Sequence, residues 1–339
     1  MDFLNIQHLR LSQRSARITD IAFDKPDLFI SFVSWEERSV AVAKSSVLAA
    51  KNVVFRFAGP VGDELKDKRE REMQVALSSR GASVQRVLGA PSTQCAENFD
   101  KLATIVRLAV QEQRRPINLL LDISCCPKSF LTFLLGYCLA NGFVRTIQFF
   151  YAHTKYENKV DADPQGEQVM FRFTDGEWSA LQVPFLEGTY RPSAPRKLVV
   201  MMGAEIATTE SFLRRYQPDK LELVAPRPGV TKQIDDAVDR GVHTLMNRFE
   251  IPDSGLKLVG PHDAVGSATA CREYMDQDSG MDVSLVCLGT KPHAIGAAVI
   301  ASTDSKATLV CRVPKYYSQS PGQPTGEASI YQIEDLSAF

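Results

Sequence analysis

Two stretches of this chain repeat one arrangement, and that repeat narrows the folds open to it more than any other feature. The first is Leu119-Leu120-Leu121-Asp122-Ile123-Ser124-Cys125-Cys126-Pro127-Lys128, running into the apolar segment 130–139. The second is Val283-Ser284-Leu285-Val286-Cys287-Leu288-Gly289-Thr290-Lys291-Pro292, running into 294–301. Each reads as a buried strand, a tight turn carrying a hydroxyl and a lysine, and a helix that begins at the lysine. A second strand follows each, at 146–152 and 307–313, and leads into Lys155-Tyr156 or Lys315-Tyr316-Tyr317. A strand–turn–helix with Ser or Thr and Lys at its turn suits a phosphate, because the first helical N–H groups point at it. Two of them suggest two lobes with a polyanion or nucleotide between them.

The spacing around these motifs predicts alternating strand and helix from residue 27 onward. Short β-rich apolar runs fall at 27–34, 52–58, 83–88, 117–123 and 146–152, with helical stretches at 37–50, 62–80, 96–113 and 128–141. Strands separated by helical stretches mark βαβ units around a parallel sheet. The helix after Lys128 is apolar on nearly every side, which predicts burial against both the sheet and a second lobe. Residues 157–195 break the rhythm. A hairpin is expected across 168–183 through Asp175-Gly176, and 190–196, rich in proline, is the expected linker. Alternation then restarts, with strands at 198–202, 221–225, 256–259, 283–287 and 307–313 and an edge strand at 329–333. The lysine turn follows the fourth strand in both halves. The expected fold is therefore α/β, two Rossmann-like parallel-sheet lobes in tandem with a β-hairpin insertion, spanning 1–190 and 197–339.

Composition excludes several classes. The 339 residues suit two ordinary domains. With 39 basic against 40 acidic residues the net charge is −1, which argues against long nucleic acid as a partner. No run approaches the roughly 20 apolar residues that span a bilayer, and the opening Met1-Asp2-Phe3-Leu4-Asn5 lacks a signal-peptide layout. The seven cysteines fall in core-like segments without CxxC spacing, which fits reduced thiols in a cytoplasm and no zinc site. No GxGxxG, Walker A, GxSxG or HExxH motif occurs, so no cofactor is expected.

Ligands of open parallel sheets bind beyond the carboxyl ends of the strands, which selects four segments. In Ser34-Trp35-Glu36-Glu37-Arg38-Ser39 the indole can stack a base and the arginine can pair a phosphate. The plain alternative is a helix first turn with carboxylates at its positive end. In the 124–128 turn Ser124 can cap the helix and Lys128 supplies a point charge; Asp122 can orient that lysine or act as a base. In 288–293, Gly289 permits close backbone approach, Thr290 caps and donates, and Lys291 supplies charge, whereas His293 reads as structural. Tyr316 and Tyr317 can close over a ligand, or the segment can serve only as a return to the edge strand. Met202-Gly203-Ala204-Glu205 is the counterpart of the Trp35 segment in order.

The motif LLLDISCCPKSF resembles the second motif of CARF domains, in which a strand ending in Asp and Ser/Thr precedes a turn and lysine that hold nucleotide phosphate. CLGTKPHA resembles the same motif in its G-T-K form. Two such units in one chain resemble the SAVED arrangement, which senses cyclic oligonucleotides in bacterial antiviral systems. That resemblance implies phosphate contacts from Ser124, Lys128, Thr290 and Lys291 and a base contact from Trp35. No effector module is attached here, which implies a separate effector partner. The opening strand Asp27-Leu28-Phe29-Ile30-Ser31-Phe32 also resembles that of TIR domains, whose enzymatic members cleave NAD.

The expected function is a nucleotide-binding regulatory protein of a prokaryotic antiviral system. The rival readings are an enzyme cleaving a phosphodiester or N-glycosidic bond, with Asp122, Glu36 or Glu37 as acid–base, and a structural subunit. The ligand contacts would be Ser34, Trp35, Arg38, Ser124, Lys128, Gly289, Thr290, Lys291, Tyr316 and Tyr317. Oligomeric state stays open.

Overall fold

The computed structural model describes residues 2–45, 49–59, 63–156, 160–162, 169–171, 173–189, 191–229, 231–278, 280–317 and 322–337. Two strands the alternation did not announce come first, β1 (Asp2–Ile6) and β2 (Leu9–Arg17). The βα series then runs β3 (Leu28–Phe32), α1 (Ala41–Lys44), β4 (Lys51–Phe57), α2 (Asp63–Ser78), β5 (Val84–Gly89), α3 (Cys95–Gln113), β6 (Ile117–Asp122), α4 (Lys128–Ala140) and β7 (Val144–Tyr156). Strands β3 to β7 pair in parallel in the order β5-β4-β3-β6-β7. That is the order 3-2-1-4-5, which reverses direction between the first and fourth strands. The central strands are mostly apolar because helices cover both faces; all five residues of β3 are buried.

The second series begins with the short antiparallel pair β8 (Val160–Ala162) and β9 (Val169–Phe171), then β10 (Thr174–Gln182). It continues β11 (Arg196–Met201), α5 (Ile206–Tyr216), β12 (Lys220–Pro226), α6 (Lys232–Arg248), β13 (Leu256–Val259), α7 (Ala264–Gln277), β14 (Asp282–Cys287), α8 (Lys291–Thr303) and β15 (Ala307–Tyr317). The parallel order is β13-β12-β11-β14-β15, again 3-2-1-4-5, with β10 antiparallel on the outer edge of β15. The expected tandem pair of Rossmann-like sheets is present, and each lysine turn follows the fourth parallel strand.

The last strand, β16 (Gly322–Asp335), corrects the expected boundaries. It is not an edge strand: it lies between β2 and β7, antiparallel to both, and completes an eight-stranded sheet. The first compact unit is therefore Met1–Glu157 with Gln319–Phe339, and the second is Asn158–Ser318, not 1–190 and 197–339. A strand's allegiance is set by its hydrogen-bonded neighbours, which chain order does not reveal.

Other local expectations change for similar reasons. No hairpin turns at Asp175-Gly176; β10 runs straight through it, paired to β15 with a bulge between Asp175 and Trp178. Gly176, at φ +74°, supplies the backbone shape that bulge needs; Gln168 lies outside the described residues. The 190–196 stretch does not join the units, since Arg191 binds Asp282 at 2.7 Å within the second. The helix expected at 37–50 is a 3-10 turn (Glu37–Val40) followed by the single turn of α1 among the described residues. Helix α4 is buried on its second side by α3, where the Phe99 and Phe133 rings stack 4.1 Å apart. No helix among the described residues is long and apolar enough to cross a membrane.

Candidate functional site

In each unit the switch point, the place where open parallel sheets bind ligands, lies between the first and fourth parallel strands, β3/β6 and β11/β14. Most of the residues selected from sequence fall on the loops after these strands, but the two units use them differently.

In the first unit the site residues are largely engaged with one another. The Ser34 hydroxyl accepts the Glu36 N–H at 3.3 Å. Arg38 is held side-on by Glu36, with Nε–Oε2 at 2.8 Å and a second hydrogen bond at 3.1 Å, and its guanidinium lies 5.8 Å from the Tyr151 ring. Arg38 is only 4% exposed, so it neutralises Glu36 instead of presenting a free charge. Glu37 is exposed. Trp35 is half-buried, with the Lys66 ammonium 5.9 Å from its ring centroid. Burial lowers the Lys66 pKa, against the nearby Asp63.

The Ser124 turn corrects one expectation. Ser124 does not cap α4; its buried hydroxyl accepts the Ala152 N–H of β7 at 2.9 Å, and Pro127 occupies the cap position. The reason is geometric. The turn closes on Asp122, whose Oδ1 accepts the Ser124 N–H at 2.9 Å, and this directs Ser124 into the sheet. Asp122 is 2% exposed and thus acts as a turn former. Lys128 begins α4 and is half-buried.

In the second unit the turn matches the expectation more closely. Thr290 caps α8, accepting the His293 N–H at 3.3 Å, and Pro292 sits in the first turn. Gly289, Thr290 and Lys291 are half-buried. His293 is structural: it is fully buried and its Nε2 lies 2.8 Å from the Gly260 carbonyl. The loops of β11 and β14 meet glycine to glycine. A Cβ on Gly203 would stand 3.3 Å from the Gly289 Cα, and one on Gly289 would stand 2.1 Å from the Met202 carbonyl oxygen. The Gly289 N–H donates to the Met201 carbonyl at 2.7 Å, which locks this close approach.

No family model matches the chain. No curated protein matches it either. Two solved structures from Pseudomonas aeruginosa align over 84% of this chain and 92% of their own: a functionally unknown protein at 8% identity and a candidate universal stress protein at 9%, each with a TM-score of 0.24. Scores that low bear on neither fold nor function.

Strand β15 passes its last pairing with β14, Cys287↔Cys311, by six residues. Its end pairs with β10, placing Tyr317 opposite Thr174 and Tyr316 opposite Asp175. Both tyrosines are exposed and stand on this ribbon beside Gly176, Tyr316 some 16 Å along the strand from Cys311.

At the base of that ribbon Glu205, from the segment matched in order to Trp35, meets two residues the sequence did not single out, Thr174 and Arg312. Glu205, in the loop after β11, accepts the N–H groups of Phe173 and Thr174 at 2.8 and 3.0 Å and the Thr174 hydroxyl at 2.9 Å. Arg312, the first residue of β15 beyond Cys311, donates to that hydroxyl at 2.7 Å. The available signal was a single arginine inside the apolar run Leu309-Val310-Cys311-Arg312-Val313. An arginine is seldom left in a buried strand without a task.

Proposed function

We propose that this protein binds a nucleotide-type anion beyond the carboxyl end of the second unit's sheet, at the β11/β14 switch point. The observation that carries this reading is the contact of Gly203 with Gly289. That close packing fixes the turn that starts α8, where the first N–H groups of the helix favour an anion and Thr290 and Lys291 stand half-buried. The CARF and SAVED resemblance supports a cyclic oligonucleotide as the ligand. It likewise supports a regulatory role in prokaryotic antiviral defence, with signalling to a separate effector. Binding is favoured over bond cleavage because the two candidate acid–base groups nearest the strand ends are occupied, Glu36 by Arg38 and Asp122 by the Ser124 turn, and the third, Glu37, is exposed to solvent.

The test is a thermal-shift and calorimetry series on the full chain with ATP, NAD, and linear and cyclic oligonucleotides, each mixture assayed afterwards for products. A ligand at a hundred times its Kd stabilises the folded state by about 2.7 kcal/mol. For a domain of this size that is a rise of roughly 5–10 °C. The expected result is such a rise with the ligand recovered intact, and at least tenfold weaker binding by Lys291→Ala. Consumption of the ligand would make the protein an enzyme; no rise with any of them would remove the nucleotide reading.

A further inference from the structure

The two units treat one topological position in opposite ways. The residue just beyond the last β6–β7 pair is Tyr151, and the residue just beyond the last β14–β15 pair is Arg312. In the first unit the loop glutamate, Glu36, gives both oxygens to Arg38, and that charge is closed. In the second unit the loop glutamate, Glu205, is spent on three donors from Phe173 and Thr174, and Arg312 approaches it only to 3.9 Å.

Arg312 is consequently under-compensated. Its side chain is 10% exposed, and Nε is buried without a hydrogen-bond partner among the described residues. Burial lowers its pKa, with Glu205 opposing. Holding a guanidinium out of water without a full set of acceptors is costly, and the nearby carboxylate could have been positioned to prevent it, as in the first unit. A second guanidinium shares the aromatic neighbour of Arg312. Trp178 has the Arg312 guanidinium 5.9 Å and the Arg215 guanidinium 5.5 Å from its ring. Trp178, Arg214 and Arg215 also line an open groove of about 1130 Å³ together with Glu177 and Glu210, and Glu210 pairs with Arg214 at 2.8 Å.

We propose that Arg312 is the charge anchor of the second unit, holding a phosphate-class anion through the Nε edge of its guanidinium while Thr174 keeps the opposite edge. A guanidinium edge matches two phosphate oxygens at once. Glu205 keeps its three donors, so the anion completes the arginine's acceptors without displacing that carboxylate. The proposal rests on the reading of the β11/β14 site given above and adds to it a residue outside the glycine–lysine turn.

The probe is inorganic pyrophosphate, titrated into the full chain by calorimetry at ionic strength matched with chloride, with the thermal midpoint followed in parallel. Wild type should bind saturably. Arg312→Met should bind at least tenfold more weakly, yet without anion it should melt no lower than wild type, because removing an under-compensated buried charge relieves a cost. A purely structural arginine would instead lower the melting temperature when replaced. Equal pyrophosphate affinity in Arg312→Met, or no response from wild type, overturns the proposal. The two readings fail separately. If nucleotide binding falls with Lys291→Ala but not with Arg312→Met, the arginine anchor is wrong and the switch-point site stands. If pyrophosphate binding falls with Arg312→Met and ignores Lys291→Ala, the anchor stands and the switch-point site does not.

Discussion

Replacing Lys197 by alanine should cost the second unit about 3–5 kcal/mol of stability, the usual penalty for breaking a buried ion pair. Lys197 is fully buried in β11. Its ammonium lies 3.0 Å from Glu222, 2.5 Å from Asp278 and 2.5 Å from the Tyr274 carbonyl. These are three acceptors for three N–H donors. Alanine would leave Glu222, 2% exposed, paired among the described residues with the Lys220 ammonium alone, at 3.3 Å. Urea unfolding of the full chain followed by tryptophan fluorescence reads the loss; a change below 1 kcal/mol would show that the cluster contributes little. A pH dependence accompanies it. Hydrogen bonds from Lys197 and Lys220 hold the Asp278 carboxyl below its ordinary value of 3.8. A depressed folded-state pKa gives stability that is present above the unfolded value and lost as pH falls through the folded one. The wild-type melting temperature should therefore drop below about pH 4, and Lys197→Ala should flatten that part of the profile.

Gly289→Ala should damage both packing and binding. The added methyl would stand 2.1 Å from the Met202 carbonyl oxygen and 2.8 Å from its carbon. Both atoms are backbone, so no side chain can swing away, and the ends of β11 and β14 must part. Overpacking of this kind costs about 1–3 kcal/mol. It would also re-aim Thr290 and Lys291, so the ligand that stabilises wild type should bind at least tenfold more weakly. Gly280→Ala is the control, because nothing lies within 4 Å of a Cβ there; it should stay within about 0.5 kcal/mol of wild type. If the two variants melt and bind alike, the glycine contact is not what shapes the site.

The βα order was legible because buried parallel strands and amphipathic helices leave different periods in a sequence. Strands such as Leu28–Phe32 and Leu256–Val259 are apolar or β-rich, and turn residues bound them. The turns at Lys128 and Lys291 were legible because hydroxyl, lysine and proline have fixed preferences at a helix start. Ser124 shows the limit. The residue suits a cap, yet its hydroxyl went to the Ala152 N–H, a partner 28 positions away that local preference cannot register. Arg38 likewise has the chemistry of a phosphate contact, and only the fold showed it closed against Glu36.

The sequence by itself thus determined the class of fold, the repeat, and which turns stand at the carboxyl ends of the fourth strands, since these follow from periodicity and local backbone preference. Tertiary structure alone decided that Gly322–Asp335 belongs to the first unit's sheet, that Thr174–Gln182 is an edge strand and not half of a hairpin, and that Arg312 is buried beside Thr174 and Glu205. Each of these depends on pairing between residues far apart in the chain, where the energy lies in hydrogen bonds and desolvation that a local pattern does not encode.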